Sequence, residues 1–445
     1  MDRRDFLKLS GSAVAAGALA AKTATPVEAQ AAAAAGGPLT APPMEMVRIG
    51  YVGIGGQGGG HVNNLLKIPG CRITAVCDVR PERTEWATRQ ITAAGHPAPT
   101  AYTRGPRDFE RLCETEDLDL VYNATPWEFH VPIMLAAMKN GKHTATEVPA
   151  AMTVEDCWAM VESAEKHKKH CVLMENCNYD RAEMMVYHMV RQGLFGEILH
   201  AEGGYLHDLR GIKFEDKGEG LWRRAWAMKL NGNLYPTHGL GPVANCLDIN
   251  RGDRFTHMVS MSGPSRGLQD WAAAHVPADS PKRKEKYVLG DVNVSLLQTA
   301  NGKTVVVQHC TNLPRPYSRI NMVQGTKGLF QGYPNRVYIE GRGRNDQWVE
   351  AQTMFAEFEH PLWKEIAEIA KGAGHGGMDF IEDYRLIKNL REGTPTDFNV
   401  YDAAVLSAVV GLSVQSVARK SAPVDFPDFT RGRWKTQAPL PLFHM

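Results

Sequence analysis

The chain has 445 residues, 43% of them hydrophobic, which is long for one ordinary compact unit and apolar enough to fill two cores. Lysine and arginine total 50 against 49 acidic residues, so no broad field exists to draw nucleic acid or anionic lipid, and a small neutral partner is expected. The 8 cysteines show no paired CxxC spacing, so neither a zinc site nor a disulfide framework is expected.

Arg3-Arg4-Asp5-Phe6-Leu7-Lys8 precedes a mildly apolar stretch from Leu9 to Ala21, the pattern of a twin-arginine export signal, with small residues near Val27-Glu28-Ala29 suited to cleavage. That stretch is too short for the roughly 20 apolar residues of a membrane span. No later apolar run of that length is read in the chain, so a soluble periplasmic or otherwise exported protein, without stable membrane association, is the expectation. Residues 22–44, rich in Ala, Pro, Gly and Thr, read as a signal remnant and linker, making 1–45 a leader region.

From Met46 short apolar runs alternate with helical stretches, the trace of a parallel sheet covered on both faces. Strands are predicted at Val47 to Gly53, Arg72 to Cys77, Leu118 to Ala124, His143 to Glu147 and Cys171 to Glu175. Helices are predicted at Gly58 to Ile68, Arg80 to Ala93 and His130 to Asn140, the last stopping at Gly141. Thr153 and Asp156 form a capping-box pattern opening another helix. This gives an α/β Rossmann domain over 46–175. Residues 176–445, with strands at 198–205 and 304–309 between long loops, read as an α+β domain with an open, mostly antiparallel sheet.

Gly53-Ile54-Gly55-Gly56-Gln57-Gly58 matches GxGxxG between a predicted strand and a predicted helix, which is the context the motif requires. Residues without a Cβ permit the tight turn, the approach of a pyrophosphate and close packing of helix on strand, and the helix N-terminus favours phosphate. Asp78, twenty residues after Gly58, ends the second strand, where a carboxylate accepts ribose hydroxyls and repels a 2′-phosphate. NAD is therefore expected over NADP, although Arg80 nearby weakens the preference.

This motif and Thr125-Pro126-Trp127-Glu128-Phe129-His130 resemble the Gfo/Idh/MocA oxidoreductases. Dehydrogenases of that group carry Glu-Lys-Pro where this chain has Glu147-Val148-Pro149, so their catalytic lysine is missing here. A closer resemblance is to glycoside hydrolase family 109, the NAD-dependent α-N-acetylgalactosaminidases. It is carried by Trp127 to His130, Glu147-Val148, Glu175-Asn176, Gly204 to Arg210, Tyr235-Pro236-Thr237-His238-Gly239, Arg315-Pro316-Tyr317 and Gly372 to Asp379. The resemblance implies NAD contacts from Gly56, Gln57, Asp78, Trp127, Glu128, Phe129, His130, Glu147, Val148 and Asn176. It implies sugar contacts from Tyr205, Arg223, Tyr235, Pro236, Thr237, His238 and Tyr317. Phe129, where the family often has Trp, and Pro149 are departures that bear on pocket shape.

An ordinary glycosidase needs two carboxylates flanking the scissile bond, and no clear pair is legible; NAD-dependent glycosidases are the exception to that rule. Similar enzymes are thought to oxidise the sugar at C3, remove the acidified C2 proton, eliminate the C1 substituent, add water and return the hydride. Tyr205 and His238 are the expected catalytic pair: either one for the C2 proton, and His238 for the C3 hydroxyl. His207, Arg210 and His375 are further candidates, each as readily structural. A sugar dehydrogenase and a non-catalytic NAD-containing carbohydrate-binding protein stand as alternatives. An exposed face of the second sheet can pair with another copy, as in related proteins, which leaves a homo-oligomer open.

Overall fold

The computed structural model describes residues 41–440 except 345, together with Leu39 and Leu442; the export signal and most of the linker lie outside the described residues. Six parallel strands form the first sheet: β1 (Val47–Val52), β2 (Cys71–Cys77), β3 (Thr100–Tyr102), β4 (Leu120–Asn123), β5 (His143–Thr146) and β6 (Cys171–Leu173). Their order is β3-β2-β1-β4-β5-β6. The chain direction across the sheet reverses between β1 and β4, and the carboxyl ends of those strands open the crevice where ligands of such sheets bind.

The covering helices are Gly56–Leu65, Pro81–Ala93, Asp108–Thr115, Trp127–Lys139 and Val154–His167. Two begin earlier than the sequence pattern suggests. Gly56 opens the first because glycines there cost little at an unpacked helix start, and Trp127 opens another directly after Pro126, whose ring cannot continue a helix backwards. The Thr153 hydroxyl accepts the Asp156 N–H at 3.1 Å, and Gly141 takes φ +76° just past its helix, as the sequence suggests. The three-residue β3 and the short helix after it have no counterpart in the sequence reading.

The second sheet is built from β7 (Ile198–Leu206), β8 (Phe255–Ser262), β9 (Asn293–Thr299), β10 (Thr304–Cys310), β11 (Met322–Gly325), β12 (Gly328–Gln331), β13 (Arg336–Ile339), β14 (Val349–Glu350) and β15 (Val424–Asp425), in the order β14-β13-β12-β11-β7-β10-β9-β8-β15. At its centre β7 and β10 run parallel, with Tyr205 opposite His309, while every other neighbouring pair in this sheet is antiparallel among the described residues. The helix Thr237–Cys246 lies against β7 at a distance only glycines allow. A Cβ on Gly203 would sit 2.1 Å from the Gly239 carbonyl oxygen, and one on Gly239 would sit 2.1 Å from the Gly204 nitrogen.

The chain then returns to the first sheet. The helix Met378–Glu392 packs against Gly56–Leu65, and Val400–Ala418 is wedged between Val154–His167 and β8 (Phe255–Ser262). This last helix corrects the sequence reading of no further long apolar run. Its 19 residues are long and apolar enough to cross a membrane, yet 78% of the window is buried inside the protein, where its Leu and Val side chains form core. One continuous apolar core joins residues from both sheets.

Candidate active site

The glycine loop has the geometry its spacing predicts. Gly53 holds φ +87°, and a Cβ there would strike the Ala124 carbonyl at 2.7 Å. A Cβ on Gly58 would lie 2.1 Å from the Gly53 oxygen, so this glycine lets the helix close onto the strand. Around Gly55 and Gly56, in contrast, a Cβ would meet nothing within 4 Å, which leaves the main chain open to a phosphate at an uncapped helix start. Asp78 is buried at the end of β2 and accepts the N–H groups of Ile54 at 2.7 Å and Arg80 at 2.9 Å. Arg83, which sequence reasoning passes over, ties the loop down through Ile54 O at 2.6 Å and Gly55 O at 3.2 Å. These features fit the adenosine and pyrophosphate halves of a dinucleotide.

The turns after β4 and β5 supply the other side of the crevice. Trp127 is buried, and the His130 ring, fully enclosed, bridges the carbonyls of Pro149 and Thr125, each at 2.8 Å. Burial lowers the His130 pKa, so the neutral ring donates to one carbonyl at a time and acts as a tie between two loops. Val148 is buried beside it, and Phe129 packs on the smaller core of the first sheet.

Glu147 points to His61, with Oε1 2.9 Å from Nε2. His61 also meets Asp383 at 2.8 Å through Nδ1, and Asp383 accepts from Tyr122 at 2.9 Å and Asn64 at 3.0 Å. Burial works against a charged imidazole, but Asp383 and Glu147 outweigh it and hold His61 well above its ordinary pKa. Gln57 reaches Asp379 at 3.3 Å, and Asn176 donates to the same carboxylate at 2.7 Å, where His375 also sits at 2.8 Å. His375 thus joins Gln57 and Asn176 around the Asp379 carboxylate. Asp379, Glu382 and Asp383 come from the Met378–Glu392 helix, far from the glycine loop in sequence; Asp379 ends the quoted Gly372 to Asp379 motif, whereas Glu382 and Asp383 stand among other charged residues of that helix and carry no local signal.

The second domain brings the expected sugar residues together. Tyr205, at the end of β7, has ring centroids of Tyr235 at 4.4 Å, His238 at 5.3 Å and Tyr317 at 6.1 Å around it, and its hydroxyl lies 3.1 Å from His207 Nδ1. Burial pushes the Tyr205 phenol up to about 12. Arg223 is buried against Tyr235 and Trp127, 4.9 and 5.2 Å from their rings, and pairs with Glu219 at 2.6 Å. Tyr235 and Trp127 are themselves 5.9 Å apart, so residues of the expected sugar set and the expected cofactor set share one cluster. Pro236 and Thr237 are buried at the start of their helix, with only His238 of that segment partly open. Arg210 turns away to pair with Asp208 and lie over Trp271.

Two partners were not assigned in the sequence reading. Glu175, fully buried, holds His238 Nδ1 at 2.6 Å, and its Oε1 also accepts the Cys177 N–H at 3.2 Å. Burial would raise this carboxyl, but His238, with smaller help from the Thr237 hydroxyl and the Cys177 amide, outweighs it and lowers the pKa. Arg319, paired with Asp180 and Glu183, donates to the Tyr317 hydroxyl at 3.2 Å and fixes that ring.

Comparison with known proteins gives the family and the fold. The model of the NAD-binding Rossmann fold of an oxidoreductase family matches residues 47–175, and that of the glycosyl hydrolase 109 C-terminal domain matches 179–436. A twin-arginine translocation signal matches residues 1–20 and marks the chain for export. A glycosyl hydrolase family 109 protein of Saccharopolyspora erythraea is 50% identical over 396 residues, covering 89% of this chain and 86% of its own. One from Solibacter usitatus is 46% identical over 443 residues, covering 98% and 99%. Among solved structures, a levoglucosan dehydrogenase in complex with NADH and levoglucosan has a TM-score of 0.64 at 21% identity, covering 86% of this chain and all of that one. An inositol dehydrogenase homologue from Azotobacter vinelandii, complexed with NAD⁺, has a TM-score of 0.63 at 19% identity, covering 87% and 99%. By these two family matches, the export signal and relatives of this identity over most of its length, the chain belongs to glycosyl hydrolase family 109 and is an exported, NAD-binding enzyme.

Proposed function

We propose that this enzyme hydrolyses terminal α-N-acetylgalactosaminides by oxidation, elimination, addition of water and reduction, leaving the cofactor unchanged overall. The observation that carries the reading is the His238–Glu175 pair at 2.6 Å beside Tyr205, in one cluster with Trp127. Bound NAD⁺ would supply reversible hydride exchange at C3 of the sugar.

Gly55, Gly56, Gln57 and Asp78 hold the adenosine and phosphate end in this proposal, and Trp127, Glu128, Glu147, Val148 and Asn176 line the reactive end. Glu175 fixes the His238 ring through Nδ1 and stabilises it when charged, which leaves Nε2 to accept a proton from the sugar and give it back. With its phenol raised to about 12, Tyr205 keeps its proton at neutral pH and acts as a hydrogen-bond donor, so His238 is the better base for C2. Arg223, Tyr235 and Tyr317 hold the sugar. A redox-neutral cycle also suits an exported protein, which meets no cytoplasmic pool of fresh cofactor.

Turnover of a chromogenic α-N-acetylgalactosaminide in deuterated water tests this. Deuterium is expected at C2 of the released sugar, without added cofactor. Release without C2 exchange would rule out elimination, and accumulation of NADH in step with product would identify a dehydrogenase instead.

A further inference from the structure

The Glu175–His238 pair has a third neighbour that the proposed chemistry leaves unused. Cys177 is buried, and its thiol, the Glu175 carboxylate and a His238 nitrogen lie within 4.8 Å of one another. Glu175 is satisfied unevenly: Oε1 takes His238 Nδ1 and the Cys177 backbone N–H, while the buried Oε2 meets no donor in good hydrogen-bond geometry among the described residues, the Thr237 hydroxyl adding only a weak pull that lowers the carboxyl. A buried carboxylate oxygen without a donor is costly, and a cation relieves it.

We propose that Glu175, Cys177 and His238 form a binding site for one thiophilic divalent cation of the zinc class, and that its occupation disables the proton-handling pair. One thiolate, one imidazole and one carboxylate are a donor set that Zn²⁺ takes, with a fourth position left for water. Binding breaks the Cys177 S–H bond, forms a metal–sulfur bond and releases the proton to solvent, with no change of oxidation state. The ion enters from the side of His238, the only one of the three with an exposed portion, 14% of its side chain. Once bound, it takes the lone pair of His238 and the charge of Glu175 that orient and stabilise the ring. The loss of turnover rests on the hydrolase reading above; the site itself does not.

Titration of the purified holoprotein with Co²⁺, followed by Zn²⁺, tests both parts. A thiolate-to-cobalt charge-transfer band is expected to saturate at one equivalent, to vanish on zinc addition, and to be absent from Cys177→Ala and Cys177→Ser. Zinc is expected to abolish glycoside turnover in the parent and to leave each variant's own metal-free turnover undiminished. A parent without the band, or variants that retain it, would overturn the site. A band with undiminished turnover would overturn the disabling effect. A band in a protein that cleaves no glycoside would uphold the site and remove the hydrolase reading.

Discussion

Asp379 gathers Asn176, His375 and Gln57 around one carboxylate, and its titration shows how tightly that corner is tied. Burial alone would raise its pKa, but the His375 hydrogen bond and the charge of His61 outweigh it and bring the value to about 2. The folded value lies below that of the unfolded chain, so the ionised carboxylate contributes stability above about pH 4, which is lost as pH falls towards 2. The contribution is about 2 kcal/mol. Asp379→Asn should therefore be less stable than the parent at pH 7 by roughly that amount in urea unfolding, with the gap closing as the pH is lowered through 4 to 2. A gap that stays constant across this range would show that the carboxylate contributes by packing alone. Glu382, about one helical turn away, has the opposite sign: burial raises it well above its ordinary value against the pull of His61 at 3.9 Å, neither oxygen has a hydrogen-bond partner among the described residues, and ionising it costs stability.

At the scale of elements, the site depends on how closely the Thr237–Cys246 helix approaches β7, because that approach brings His238 over Tyr205. Gly239 sets the distance. Gly239→Ala drives a methyl group into the Gly204 backbone, where no side chain can yield, and should cost about 3 kcal/mol or more. Gly60→Ala is the matched control: it lies in a helix, a Cβ there meets nothing within 4 Å, and it should stabilise by about 0.5 to 1 kcal/mol. Equal melting temperatures for the two variants would mean that the helix can lift off without penalty. The sequence makes the first sheet legible for a local reason: β1, the glycine turn and Asp78 fall within about thirty residues, and each carries its own chemical signature. The pairing of Glu175 with His238 spans 63 positions and that of His61 with Asp383 spans 322, and no local pattern encodes either. Tyr205, His238 and Tyr317 were legible as motif residues, but their convergence is a property of the β7–β10 register and of the glycine contact. The three residues of β3 are too few to carry a periodicity, and the core helix Val400–Ala418 is apolar on every side, so it too lacks the stripe that marks an amphipathic helix.

The whole molecule couples the nucleotide-binding half to the end of the chain. A cut at residue 175 separates the two sheets, yet it also removes the Met378–Glu392 and Val400–Ala418 helices, which complete the packing of the first. His61, Asn64 and Tyr122 would lose the Asp383 carboxylate, each a buried polar group worth about 1 to 3 kcal/mol when left unpaired. The Val154–His167 helix would lose the neighbour against which it is buried, together with the bond from Tyr401 to Glu165 at 2.8 Å. Net stabilities of single domains are about 5 to 15 kcal/mol, so these losses together are large enough to unfold the remainder. Residues 46–175 produced alone should therefore show no cooperative thermal transition, bind a hydrophobic dye and retain no NAD, whereas the full chain melts in one step and is further stabilised by the cofactor. A fragment that melts sharply and binds NAD would instead make the C-terminal helices an ornament to a self-sufficient fold. If it behaves as expected, the cofactor half matures only after the last helices have been synthesised, and the nucleotide is captured by a complete chain before export rather than by a nascent one.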